Sequence, residues 1–231
     1  MPSAPPAGPE QRPIATVDIV LVTLHEDGLR LCLQRRECDP HAGALALIGG
    51  YVRPEEDADI EASARRILAA KARLDGLYLE QVRSFGSPDR DPRGWSIAIV
   101  YLALVPEERL AAAEAAGAPP FERVDPDRCP PLPFDHDRLI AAALARLRSK
   151  ASYSTLPAFL LGEQFTLPEL KAVYEKAMGA QLNDSAFRRK LMEMQILEEV
   201  DAKATATAER KRPAQLYRLA RRALTEFDRT V

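Results

Sequence analysis

Cysteine, histidine and tryptophan are scarce in this sequence: three, three and one among 231 residues. Cys32, Cys38 and Cys129 cannot all pair within one chain, which fits a reducing compartment better than a disulfide scaffold. Cys38 and His41 in the CDPH stretch look like half of a metal site, but no second cluster stands at ligand spacing to complete a four-ligand zinc centre. Long hydrophobic runs are also missing, and none approaches the roughly 18 to 20 residues that cross a bilayer. The opening MPSAPPAGPEQRP has neither the basic nor the apolar region of a signal peptide. Residues 1–13 are therefore expected to be a disordered Pro-rich lead, and the protein to be cytoplasmic, with no membrane partner.

What is present is ordinary soluble composition, 46% apolar and 29% charged, in a length that suits one large domain or two small ones. The formal charge of −2 is unevenly spread. Residues 1–134 hold 15 Lys and Arg against 21 Asp and Glu, a net of −6, whereas residues 135–231 hold 17 against 13, a net of +4. Such asymmetry is either chance surface variation or the mark of nucleic-acid contact by the basic half.

In the acidic half, ATVDIVLVTL (15–24) and the alternating LRLCLQRR (29–36) read as two strands joined at the polar turn 25–28. The following segment is loop-like up to Gly49-Gly50, where backbone can approach a ligand closely because no Cβ intervenes. From Asp57 to Arg73 the apolar positions Ile60, Ala64, Ile67 and Leu68 recur at helical spacing. Strands are expected at 77–86 and 96–105, flanking a turn-rich loop with Arg90, Arg93 and Trp95. A short Ala-rich helix at 107–116, a strand at 121–124 and a Pro-rich segment end the half. Interleaved hairpins and crossovers give an α/β (α+β) class rather than all-β.

This element order, and residues 49–74, resemble the Nudix family, whose signature runs Gly, five residues, Glu, seven residues, then Arg-Glu-apolar-x-Glu-Glu-x-Gly-apolar. Gly50 and Glu56 match the first part. With two extra residues allowed, Arg66 takes the place of the arginine, while Ile67, Ala70 and Lys71 stand where the three glutamates would be and Arg73 replaces the glycine. Nudix enzymes hold Mg²⁺ with helix carboxylates, and hard cations need oxygen ligands. Alanine and isoleucine offer none. Lys71 is either a direct partner for a ligand phosphate or a solvated helix lysine. The acids Glu55, Glu56, Asp57, Asp59 and Glu61 are either a residual metal cluster or favourable charge at a helix N-terminus.

The composition changes from Asp135. Residues 135–150 read as a helix leading out of the first domain, and two helices follow in quick succession. The first opens on Thr166-x-x-Glu169, a capping-box pattern, and stops at Gly179. The second follows Asn183, a good N-cap, with Phe187, Leu191 and Met194 inward and Ser185, Arg188, Arg189 and Met192 outward. Leu197–Val200 and Gln215–Leu219 read as a hairpin whose long tip carries Arg210, Lys211 and Arg212. Helix, turn, basic helix and wing make a DNA reader, the second helix meeting base edges and the wing meeting phosphates.

A Nudix-like domain followed by a winged helix resembles the Nudix-related transcriptional regulators of NAD metabolism, through GGYVRPEEDADIEASARRIL, PDRDPRGWSIAIVYLALVP, FTLPEL, FRRKL and RPAQLYRL. The resemblance implies a mixed-sheet effector-binding domain over 14–134 and a linker helix with DNA-binding domain over 135–231. It also implies a homodimer, a palindromic double-stranded operator, no required cofactor, and a nucleotide effector such as ADP-ribose acting on a repressor. The expected effector pocket comprises Arg35, Arg36, Gly49, Gly50, Glu56, Arg66, Lys71, Arg93 and Trp95, with arginines for the diphosphate and Trp95 for a base. DNA contacts are expected from Thr166, Ser185, Arg188, Arg189, Lys190, Arg210, Lys211 and Arg212. The rival reading is a Nudix hydrolase of ADP-ribose or a related nucleoside diphosphate, with a C-terminal half for dimerisation or nucleic-acid contact.

Overall fold

In the computed structural model of the chain, residues 12–203 and 214–228 are described. The central strand is β1 (Ile14–His25), flanked by β2 (Gly28–Arg35) on one side and, in parallel, by β6 (Ser96–Leu104) on the other. The short β3 (Leu45–Ala46) pairs with β2, and β4 (Ile48–Tyr51) pairs with the first half of β1. β5 (Leu79–Ser87) pairs with β6, and β7 (Glu122–Val124) with β2. β1 reads as a mostly apolar run, broken by Thr16, Asp18 and Thr23, because both of its faces are covered, as in buried parallel sheets.

Its alternation sorts two cores. Val17, Ile19 and Leu21 face α1 (Ile60–Ala72) and α2 (Glu107–Ala115), through Ile67, Leu68 and Leu110. Val20 and Val22 face α3 (His136–Ala151), through Leu139, Ile140, Ala143 and Leu147. The helix expected to open the second half is therefore packed on the first sheet, and the boundary expected at 134/135 falls within one continuous core. The reason is its apolar stripe, which the sequence shows without naming what covers it.

A 3-10 turn at Leu156–Leu160 leads to α4 (Leu167–Met178) and α5 (Asp184–Glu193), then the hairpin of β8 (Leu197–Lys203) and β9 (Gln215–Leu219). Phe165, Leu170, Tyr174, Phe187, Leu191 and Tyr217 form the core of this unit. α4 opens on a full capping box and stops at Gly179, whose φ of 70° places it in the left-handed region that favours glycine. The opposite face of α4, with Val173 and Ala177, joins the α3 side of the sheet core, and Lys176 Nζ donates to the carbonyls of His25 and Glu26 at the β1–β2 turn. The two halves are thus docked through α3 and α4. No helix among the described residues is long and apolar enough to cross a membrane.

Candidate functional site

The Gly49-Gly50 loop is strand β4, not an open loop: Gly49 pairs with Asp18 and Gly50 with Val17 across β1. A Cβ built at Gly49 would collide with Asp18 Oδ1 and lie 3.1 Å from the Val17 carbonyl, so any other residue here forces the Asp18 carboxylate to move. Ile67 of α1 packs under Gly50. Downstream, Asp57 locks the turn into α1. Its carboxylate accepts from Arg66 Nε at 2.6 Å and Nη2 at 2.8 Å, from the Ser63 hydroxyl, and from the Arg53 amide at 2.8 Å. The Arg66 guanidinium, outweighing burial, holds Asp57 well below the usual carboxylate range. Arg66 also donates to the Tyr51 carbonyl at 2.9 Å, so it braces the loop.

The basic residues expected to converge on this loop divide into two groups. Arg35 pairs with Glu122 at 2.6 Å, Arg66 with Asp57, and Arg93 with Asp91 at 2.7 Å. Glu56 pairs with Arg53 at 3.0 Å and is half exposed. Arg36 and Lys71 instead rest on backbone oxygens: Arg36 on Pro40 and Cys38, Lys71 on Gly49 at 2.5 Å. Among the described residues, no carboxylate pairs directly with either of these two cations. Trp95 is 46% exposed and lies against Gly86 of β5, which answers the alternative of a core tryptophan.

Four residues left out of the expected pocket, Phe134, Tyr51, His136 and Arg90, complete the surroundings. Phe134 lies beneath Arg36, 4.9 Å from guanidinium to ring centroid, and near Arg93 at 5.9 Å. Arg93 also sits over Tyr51, 5.4 Å from its ring, and donates to its hydroxyl. His136, next to Phe134, accepts from the Leu47 amide at 3.2 Å and stands 3.9 Å from Asp18. Burial pushes the His136 pKa down against the pull of Asp18 and Asp135. Beneath them Arg90, only 5% exposed in its side chain, binds Asp135 at 2.9 Å and Ser96 at 3.1 Å. The one available signal was the run Phe134-Asp135-His136 after a Pro-rich segment, where an aromatic and two polar residues lead into an amphipathic helix.

An Mg²⁺ ion does not fit this donor set. Ile67 is buried in the core, Lys71 occupies the Gly49 carbonyl, and Asp57 is spent on Arg66. Asp59 caps α1 by accepting from Ala62 at 2.7 Å, and Glu61 pairs with Arg65, which answers for most of the acids weighed as a residual cluster. Among the described residues no group of three or more His, Cys, Asp or Glu is arranged to hold a metal, the Cys38 and His41 pair included.

In the second unit, α5 is capped by Asn183, which accepts from Ala186 at 3.0 Å, and buries Phe187 and Leu191. Ser185, Arg188 and Arg189 stand exposed on its outer face, and Arg189 approaches Glu193 one turn on, at 3.8 Å. Lys190 is half-buried. Thr166 is a correction. It is fully buried, and its side chain and amide are both engaged with Glu169, so it has no surface to offer DNA. Arg210, Lys211 and Arg212 lie outside the described residues.

A paired-strand sheet with a Nudix-like loop and helix, followed by a helix pair and two-stranded wing, defines a Nudix-like domain joined to a winged-helix DNA-binding domain. The family model described as the NrtR DNA-binding winged helix domain matches residues 157–219. The "ADPR responsive transcriptional repressor NtrR" of Acinetobacter baylyi is 38% identical over 223 residues, covering 94% of this chain and 84% of that protein. The chain belongs to the NrtR family. The crystal structure of Shewanella oneidensis NrtR complexed with a 27mer DNA superposes with a TM-score of 0.83 at 35% identity, covering 94% of this chain and 99% of that one. A stretch of 128 residues is also similar to the ADP-ribose pyrophosphatase of Methanocaldococcus jannaschii, at 31% identity over 55% of this chain and 71% of that protein.

Proposed function

We propose that the chain is a homodimeric transcriptional repressor of NAD or pyridine nucleotide metabolism, which binds a palindromic operator through α5 and its wing. Its Nudix-like domain senses ADP-ribose or a related nucleotide without hydrolysing it. The observation that carries the proposal is the span of α3. Its first residues, Asp135 and His136, are hydrogen-bonded to Arg90 and Leu47 beside the Gly49 loop. Its last turn carries Lys150, bound to Glu226 of the C-terminal segment, and the next residues bridge to that segment through Thr155 and Thr225. Sixteen helical residues, about 24 Å at 1.5 Å each, connect a ligand-facing loop to the DNA-binding unit.

An effector shifts such a protein only by binding one dimer arrangement better than another. A nucleotide that draws Arg36 and Arg93 together over Phe134 loads the N-terminal end of α3. The two copies of α5 must match half-sites about 34 Å apart or a multiple of it, so a change of tilt in α3 alters the fit. The relative in Acinetobacter is named as ADPR responsive, which supports ADP-ribose as the first effector to test.

Genomic fragments retained by the purified full chain identify the operator, and fluorescence anisotropy then follows its release or capture as ADP-ribose is added. A change in operator affinity with ADP-ribose, absent with ribose 5-phosphate, supports the proposal. Turnover of ADP-ribose at enzymatic rates with Mg²⁺ or Mn²⁺ would sink the non-hydrolysing reading.

A further inference from the structure

We propose that Lys71 supplies from within the chain the positive charge that a divalent cation supplies in a diphosphate-cleaving site, so that a nucleotide diphosphate is held here without metal. The proposal rests on the nucleotide-sensing function above and adds to it the ionic chemistry of recognition. Lys71 Nζ donates to the Gly49 carbonyl at 2.5 Å, which removes that oxygen from the donors open to a cation and puts an ammonium where a cation would be repelled. An ammonium has three donors, and one on Gly49 leaves two for phosphate oxygens.

The surroundings favour an anion. Asp57, Asp59 and Glu61, the acids nearest the helix start, are each held by an arginine or a backbone amide. Ile67, one turn before Lys71, is buried against Gly50 and excludes a ligand carboxylate from that position. Arg36, just past the end of β2, is near enough to act electrostatically on Lys71 and, like Lys71, among the described residues has carbonyl oxygens as its side-chain hydrogen-bond partners. Partial burial and then repulsion by Arg36, against the pull of Asp18 and Glu37, lower the Lys71 pKa from its ordinary value. A phosphate arriving between the two cations relieves both costs, whereas a metal ion adds a third positive charge.

Isothermal titration of the full chain with ADP-ribose, once in EDTA and once in millimolar Mg²⁺, tests the inference. The same titrations are run on Lys71→Met, which keeps the stem and removes the charge. Thermal melts establish that the variant is folded. Expected are equal affinities of the native chain in the two buffers, within roughly twofold, and a roughly tenfold or greater loss in the variant, the scale of one charge-assisted hydrogen bond. Binding by the native chain only with Mg²⁺ overturns the inference and leaves nucleotide sensing standing. So does unchanged affinity in a folded Lys71→Met. Absence of binding in either buffer overturns both.

Discussion

Glu80→Ala is expected to loosen the joint between the two halves. Glu80 lies on β5 with its side chain 9% exposed, and it accepts from Tyr78 Oη at 2.6 Å, Arg146 Nη1 at 3.0 Å and Lys150 Nζ at 3.0 Å. Lys150 in turn reaches Glu226 at 3.3 Å, and Tyr78 stacks on Phe159 at 4.9 Å. Removing one partner of a buried ion pair costs about 3 to 5 kcal/mol because the other charge is left without compensation. Here Lys150 keeps the half-exposed Glu226 and Arg146 is partly solvated, so about 3 kcal/mol is the expected loss. For a chain of this length that is a fall in melting temperature of roughly 6 to 12 °C. The pH dependence follows. Burial alone would raise the Glu80 pKa, but the bonds from Tyr78, Lys150 and Arg146 outweigh it and lower it. The stabilisation is therefore present above the unfolded carboxylate pKa and lost as pH falls through the folded one. Urea titrations of Glu80→Met, Lys150→Met and the double variant measure the coupling. The double variant should recover much of the single losses, since a well-packed apolar pair replaces a buried ion pair at little cost. Strictly additive losses, or a loss under about 0.5 kcal/mol in Glu80→Ala, within the range of ordinary surface substitutions, would refute the assignment of this cluster as the joint.

Arg188→Ala with Arg189→Ala should abolish operator binding in anisotropy while leaving ADP-ribose affinity unchanged; retained DNA binding would mean that α5 is not the recognition helix. Native DNA affinity should fall steeply with salt, with a log–log slope of about −0.9 for each phosphate contacted. Gly49→Ala puts a Cβ against Asp18 and β1; overpacking costs about 1 to 3 kcal/mol, read as a lower urea midpoint. His136 is buried with a lowered pKa, so the unfolded chain takes up a proton more readily. Stability should fall as pH drops below about 6.5, the unfolded value, and continue falling to the folded pKa. Asp18, Arg90, Asp135 and Arg36 face the ring, and His136→Gln should flatten this slope in pH-dependent melts.

Most elements were legible because their signals are local. The β1 run, the α1 periodicity, the Thr166-x-x-Glu169 box and the Gly179 stop each depend on a few adjacent residues, and each is found within a residue or three of its expected place. Strands β3 and β4 were not legible, since two residues, and four that include a glycine pair, give no period, and only pairing with β2 and β1 makes them strands. The site was less legible than the fold. Arginine was expected wherever it stood near the loop, but whether it is free for a ligand depends on a carboxylate that folding brings to it: Glu122 for Arg35, 87 positions on, or Asp57 for Arg66 across the turn into α1. Phe134 and His136 join the site from some 85 residues beyond the glycine pair, by the packing of α3 on the sheet. Thr166 shows the converse, a residue whose motif was read correctly as a cap and then given a second role that its complete burial forbids.

The degenerate Nudix stretch separates two properties that the family signature presents as one. Loop shape depends on Gly49 fitting beside Asp18, on Ile67 filling the space under Gly50, and on the Asp57 clamp through Arg66, Ser63 and the Arg53 amide. None of these requires a glutamate on α1. Metal chemistry depends on carboxylates at three α1 positions that here hold Ile67, Ala70 and Lys71. The second set can therefore change without disturbing the first, and each change removes an oxygen ligand while the shape of the loop persists. On the function proposed above, a loop that keeps its shape without these metal donors binds a nucleotide and does not hydrolyse it. With α3 fixed to it through Arg90 and Asp135, it retains a route to the DNA-binding unit.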